Sequence, residues 1–362
     1  FARVDLKTQL KDDSLVLTYQ FEELPVIIPF VGGKKTDQDG LILGPAASSL
    51  NFAGRDIRLE AYARTTVSDP GKANEFQGVA GTYWLGNLPM ECWLQFIYTD
   101  SYNPFLDFPE KSQYYLFDMK HRFAHEWASK FKAELLTITT KPEYRDQVLT
   151  GPSGLRDIVP RIGMGIVRDS RESRSNPHRG LYGELLYTQS GGPLGGDASY
   201  GEFLGDLRAF VSLGERHVFH VSLLGQYRMG TVGTYDRFYL GGTNTLRAYH
   251  PVDDGFNGAS EILSFVEYRY EFFPKMNFKI FGLAWYWGLQ AVTGFDVSYV
   301  WDKNDFDGGT DGRSFYIGTH ILMPGLDRIR LELGNKAEEL KVDMGFTFGL
   351  FERSEVQRWR IR

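Results

Sequence analysis

The sequence predicts an all-β chain, a transmembrane antiparallel β-barrel of about sixteen strands. Three observations carry that prediction. Nearly every ordered-looking segment alternates between an apolar face and a face carrying charge. The alternating runs often reach about ten residues, against about five or six in ordinary sheets, so a soluble sandwich fits less well. Aromatic residues make up 15% of the chain and gather near the ends of the runs, as interfacial girdles do, beside 40 glycines. A helical membrane protein needs runs of about 20 apolar residues. The nearest approach, 281–301, is interrupted by Gly282, Gly288, Gln290, Thr293, Gly294, Asp296 and Ser298.

Residues 1–25 come first and read differently. Val4 and Leu6 precede an Asp12-Asp13-Ser14 turn, after which Leu15, Leu17, Tyr19 and Phe21 alternate with Val16, Thr18, Gln20 and Glu22. This is a hairpin at the end of a soluble module. A lone hairpin is marginal in water, so the rest of that module is expected upstream. No charged-then-apolar leader opens the chain, so Phe1 is expected to follow a removed signal or to begin mid-protein.

The barrel is expected over 26–351. Strands are placed near 26–33, 39–49, 54–67, 74–86, 89–100, 112–125, 127–140, 156–169, 178–190, 199–213, 216–229, 259–273, 284–301, 313–323, 326–335 and 340–350. In the third, Ile57, Leu59, Ala61 and Ala63 face lipid, while Arg58, Glu60, Tyr62 and Arg64 face the lumen. Leu207, Ala209 and Val211 oppose Asp206, Arg208 and Ser212, and Phe219, Val221, Leu223 and Tyr227 oppose His220, Ser222, Gln226 and Arg228. Long loops are expected near 101–111, 141–155, 170–178, 191–198, 230–258 and 302–312, alternating with short turns such as Gly214-Glu215 and Pro324-Gly325. Outer-membrane barrels divide external loops from periplasmic turns in that way. The tail 352–362, with Arg353, Arg358, Arg360 and Arg362, reads as a solvated charged end.

Residues 237–249, RFYLGGTNTLRAY, place Arg247 on a long loop opened by Gly241 and Gly242. A loop arginine is ordinarily solvated. Here the strand period offers it partners. Glu267 shares a face with Leu263, Phe265, Arg269 and Glu271, and Asp296 lies opposite Phe295, Val297, Tyr299 and Trp301. Both acids point inward, where they either line a polar lumen or meet a folded-in guanidinium. Such a contact is worth roughly 1.5 to 3 kcal/mol and requires arginine if forked.

Enzyme signatures fail on inspection. Gly32-Gly33-Lys34-Lys35-Thr36 lacks the earlier glycine of a phosphate loop, which would fall at Ile28. The run 302–308, DKNDFDG, misses calcium-loop spacing and has Arg313 at the twelfth position. His121 and His125 share a strand face but lack a third metal ligand, and no Gly-x-Ser-x-Gly elbow occurs. Cys92 is the single cysteine and the net charge is -6. No enzyme activity, cofactor, metal or nucleic-acid partner is expected.

Taken in order, these segments resemble the BamA-type barrel-assembly superfamily of outer membranes. The match spans 26–350. Leu246-Arg247-Ala248-Tyr249 resembles the family's Val-Arg-Gly-Phe/Tyr loop tip, with Ala248 where glycine is usual. Arg168 and Asp169, with Pro177, Arg179 and Gly180, resemble its Arg-Asp then Pro-Thr-Arg-Gly hairpin. Glu267-Tyr268-Arg269 resembles its Glu-Leu-Arg strand, and 295–301 its Phe-Val-Asp-x-Gly-x-Val-Trp strand, with Ser298 at a common glycine. Gly345, Phe348 and Leu350 resemble its closing signal, and Gly349 with Gly345 either weakens that last strand or eases the curvature of the barrel.

The resemblance implies that 1–25 end a periplasmic POTRA module and that Arg247 meets Glu267 and Asp296 inside the barrel. It further implies a bacterial outer-membrane insertase that folds client barrels through a seam between first and last strands. Its partners would be outer-membrane lipids, unfolded outer-membrane proteins and periplasmic accessory lipoproteins. The alternatives are a polypeptide-secretion pore of the same superfamily or the barrel of a fusion with an upstream enzyme.

Overall fold

A computed structural model describes residues 3–11, 14–22, 27–36, 40–52, 57–67, 73–86, 88–103, 108–174, 176–241, 245–249, 256–280, 283–302, 305–322, 329–336 and 339–347. The period-two patterning yields twenty strands among the described residues. They are β1 (Arg3–Lys11), β2 (Ser14–Glu22), β3 (Ile28–Thr36), β4 (Gly40–Phe52), β5 (Ile57–Thr66), β6 (Ala73–Thr82) and β7 (Met90–Asn103). Then follow β8 (Phe108–Arg122), β9 (Trp127–Thr140), β10 (Arg156–Asp169), β11 (Gly180–Gly191), β12 (Ser199–Leu213), β13 (His217–Thr231), β14 (Phe238–Tyr239) and β15 (Asn257–Gly258). The last are β16 (Ser260–Ile280), β17 (Leu283–Asp302), β18 (Asp305–Leu322), β19 (Ile329–Lys336) and β20 (Glu339–Thr347).

Sixteen of these, β3 to β13 and β16 to β20, form one closed antiparallel barrel. β20 returns to β3 by pairing Phe346 with Lys35 and Thr347 with Lys34. Closure supplies each wall strand with two neighbours, which hydrocarbon demands because it offers backbone groups no other partner. No helix among the described residues is long and apolar enough to cross a membrane. β1 pairs with β2 in a separate hairpin, Arg3 opposite Glu22, and β14 with β15 in a short ladder.

The two faces sort as the alternation dictates. Glu60, Tyr62 and Arg64 are buried in the lumen while Ala61 is exposed on the outer wall. Asp206, Arg208, His220, Ser222, Gln226 and Arg228 are buried; Leu207, Val211, Phe219, Val221, Leu223 and Tyr227 are exposed. The outer wall is therefore apolar and the lumen is lined with charge.

Antiparallel connectivity places successive connections at opposite ends. The connections after β9, β11 and β13 open at one end; those after β8, β10 and β12 open at the other, where β3 begins after the β1–β2 hairpin.

Three expectations are corrected. Residues 302–312 are mostly strand: Asp302 lies opposite Asp305 and Val300 opposite Thr310, so a polar hairpin extends past the apolar band, where no alternation betrays it. The gap at 101–111 narrows likewise, because β7 and β8 pair as far as Asn103 and Phe108. Segment 170–178 lies at the turn end, and its length is taken up inside the barrel, where Asn176 and Pro177 are buried. The Pro324-Gly325 turn and the tail 352–362 lie outside the described residues.

Candidate functional site

Between β13 and β16 the chain folds into the lumen. Leu246, Arg247, Ala248, Tyr249 and Phe256 are all buried there. The Gly241 amide donates to Thr245 Oγ1 at 2.8 Å and the Thr245 hydroxyl donates back to the Gly241 carbonyl at 2.9 Å, closing the approach to the tip. Leu240, Leu246, Tyr249, Phe256 and Val300 form one apolar cluster, and the Tyr249 hydroxyl donates to the Arg313 carbonyl at 3.1 Å.

Two wall glycines make room for the tip. A Cβ at Gly312 would come within 2.4 Å of Leu246 Cδ2, and one at Gly334 within 2.7 Å of Ala248 Cβ. Ala248 has φ 67°, in the left-handed region that glycine enters most easily.

Arg247 then meets three acids. Its Nη1 donates to Asp296 Oδ1 at 2.7 Å, its Nε to Glu332 Oε2 at 2.8 Å, and its backbone amide to Asp296 Oδ2 at 3.2 Å. Glu267 Oε2 lies 3.8 Å from Nη2 and accepts the Tyr316 hydroxyl at 2.9 Å. The guanidinium stands 3.7 Å from the centre of the Tyr316 ring. Ser314 donates to Asp296 and His320 Nε2 lies 2.7 Å from Glu332 Oε1, so the surrounding wall satisfies the same carboxylates. Burial opposes the charge on Arg247, yet Asp296 and Glu332 hold its pKa well above the ordinary value. Glu267, His320 and Glu332 bring potential metal-ligand atoms within 4.8 Å of one another, but a guanidinium already neutralises the carboxylates.

A second clamp of opposite sign grips the root of the loop. Both carboxylate oxygens of Asp236 lie 2.6 Å from Arg161 Nη2, and Tyr200 donates to Oδ2 at 3.0 Å. Arg228 donates to the Asp236 carbonyl and, through Nε, to Glu202 at 2.6 Å. Tyr235 donates to Asp157 Oδ2 at 2.9 Å; burial, reinforced by Asp236, pushes its pKa up.

From the other end, the 170–179 segment enters the same lumen. Asn176 Oδ1 accepts from Arg269 Nη1 at 2.9 Å and from Gln290 Nε2 at 3.1 Å, and the Pro177 carbonyl accepts from Arg269 Nη2 at 2.9 Å. Glu271 Oε1 accepts from Asn176 Nδ2 at 3.1 Å and lies 2.9 Å from His178 Nε2.

The positions singled out in the sequence fare unequally. Arg247 and Asp296 touch directly, while Glu267 stands farther from Arg247 because Arg269 and Tyr316 share it. Glu332 is the stronger second partner and was missed. Its signal was present, since Arg330, Glu332 and Gly334 alternate with the exposed Leu331 and Leu333. Arg168 turns outward to Glu126 at 3.0 Å, and Asp169 takes Arg171 at 2.8 Å. Arg179 is exposed, and Gly180 opens β11. Gly345 pairs opposite Arg330 in β20; Gly242, Phe348, Gly349 and Leu350 lie outside the described residues. His121 is the last residue but one of β8 and His125 lies in the next turn, both exposed, so they do not share a strand face.

A closed sixteen-stranded barrel whose own loop docks an arginine on lumenal acids defines a class: a transmembrane β-barrel with an inward-folded loop. The Omp85 superfamily domain matches residues 121–350, and the chain belongs to that superfamily. It is similar to the outer membrane protein assembly factor BamA of Nitratidesulfovibrio vulgaris, 27% identical over 150 residues. That match covers 38% of this chain and 18% of the relative's length. Among solved structures it resembles BamA from Haemophilus ducreyi lacking POTRA domains 1–3, with TM-score 0.66, 11% identity and coverage of 96% of this chain and 75% of that one. It also resembles CdiB from Escherichia coli, with TM-score 0.65, 12% identity and coverage of 96% and 67%. At these identities the likeness is one of fold. It is that of an outer-membrane barrel.

Proposed function

We propose that this chain is the membrane part of an outer-membrane assembly factor that inserts client β-barrels without covalent chemistry. One observation supports the reading above the rest. The Arg247 loop is braced on β19, one strand from the β20–β3 closure, so the strands beside the seam are held from inside while the seam itself pairs edge to edge. An open sheet edge is intolerable in hydrocarbon. A seam that parts can offer its edge to an incoming strand by β-augmentation and so spare the client that exposure. On this reading the β1–β2 hairpin belongs to a POTRA-like module over 1–25, the barrel occupies 26–351, and 352–362 form a charged tail. Unfolded outer-membrane proteins, periplasmic accessory lipoproteins and lipids are the partners.

The test is a lock. Lys34 and Thr347 are directly opposite, and cross-strand Cα atoms about 4.5 to 5.5 Å apart fall within disulfide reach. In a Cys92→Ser background, Lys34→Cys with Thr347→Cys should abolish insertion of client barrels into vesicles when oxidised and restore it when reduced. Insertion at the unlocked rate by the oxidised protein would remove the seam mechanism and favour the secretion-pore reading.

A further inference from the structure

β16 presents Glu267, Arg269 and Glu271 at successive inward positions, alternating in charge. Glu271 and Arg269 serve the segment arriving from one end, and Glu267 the loop arriving from the other. Glu271 takes Asn176 and His178; Arg269 takes Asn176 and Pro177 on one side and, through Nε, Glu267 Oε1 at 3.4 Å on the other; Glu267 takes Tyr316 and Arg247. Tyr316 in turn lies beneath the Arg247 guanidinium. The chain of contacts therefore runs unbroken from the 170–179 segment, at the end where the β1–β2 hairpin joins, to the tip of the loop that enters from the opposite end.

We infer that Asn176 is a positioning residue for the Arg247 loop, acting through Arg269 and Glu267, so that the 170–179 segment and the loop tip dock cooperatively. Asn176 is 6% exposed and is bonded to Arg269, Gln290 and Glu271. No shorter side chain reaches all three. With Asn176 gone, Arg269 keeps only the Pro177 carbonyl on the turn, and the guanidinium that stands 3.4 Å from Glu267 is held less firmly. Glu267, which His220 also approaches at 3.8 Å, then loses part of the support that presents it to Tyr316 and Arg247. This inference gives a positioning role within the assembly reading proposed above, but the coupling itself needs no client.

Hydrogen exchange of the full chain in lipid vesicles tests it. Asn176→Ala should accelerate exchange of a peptide covering 245–249 at least tenfold, along with that of 170–179, while 199–213 in β12 keeps its wild-type rate. By reciprocity of coupling, Arg247→Ala should accelerate 170–179 by a similar factor. Asn176→Ser, a milder truncation, serves where the alanine variant fails to embed and should show the same pattern. Acceleration confined to 170–179, or spread evenly through the strands, would overturn the coupling. Intact coupling beside unchanged client insertion in Asn176→Ala would instead count against the assembly reading.

Discussion

Ala248 sits against Gly334 with no room between them: a Cβ on the glycine would come within 2.7 Å of the Ala248 methyl and 2.8 Å of its backbone nitrogen. Gly334→Ala should therefore displace the loop tip, read as faster proteolytic nicking between 238 and 256. Adding Ala248→Gly should restore protection only in part, because it removes the methyl clash but not the one with the nitrogen. Full protection in the single variant would show the tip docked elsewhere.

Alone, Ala248→Gly has two opposed effects. It relieves a left-handed non-glycine conformation, worth about 1 to 2 kcal/mol, and it gives up one buried methyl, worth about 0.8 kcal/mol. The net should leave loop docking unchanged or slightly tighter. Hydrogen exchange at 245–249 that speeds up would contradict this.

Arg247 bridges Asp296 and Glu332 through two different nitrogens while lying on Tyr316. Lysine keeps the charge but cannot fork or stack. Arg247→Lys should loosen the loop nearly as much as Arg247→Ala. Alanine leaves buried acids uncompensated, at about 3 to 5 kcal/mol of docking free energy. Both should remain embedded and heat-modifiable on gels, since the wall ladders do not involve this side chain. Wild-type protection in the lysine variant would mean that charge alone suffices.

At the root, Asp236→Asn should weaken the grip of Arg161 and Tyr200, at roughly 1.5 to 3 kcal/mol. The tip acids are untouched, so exchange should rise at 232–239 more than at 245–249. An equal rise at both would mean that root and tip undock together.

Val221 is 46% exposed on the outer wall, and its neighbour Ser222 is buried in the lumen. Val221→Arg should lower folding stability in lipid by about 2 to 4 kcal/mol if the position lies near the midplane. Unchanged stability in urea titrations would contradict the assigned face.

How much of this was legible depends on range. Period-two alternation fixed the faces of Glu60, Val221, Glu267 and Asp296, because a lipid-facing position tolerates no charge. Glu332 obeyed the same rule but sits on an eight-residue strand with no motif beside it. Gly312 and Gly334 could not be read, since a strand glycine serves a bulge, a bend or a close approach with equal ease. The inward course of 170–179 was hidden for a different reason. Its polar residues look solvated locally, and only the lumenal charges of β16, about a hundred residues later, give them partners. The Arg161–Asp236 clamp likewise depends on where a long loop returns to the wall.

Because β16 supplies ligands to two segments that are otherwise far apart in sequence, none of the three is an independent unit of inheritance. A loop transplanted from a related barrel would arrive with an arginine tuned to a different strand, and a turn transplanted alone would meet the wrong acids. Chimeras should be cut so that 170–179, 232–259 and 260–271 travel together with Asp296 and Glu332, the two acids that Arg247 bonds directly. Their joints then fall in wall strands, where backbone pairing is indifferent to which side chains it carries.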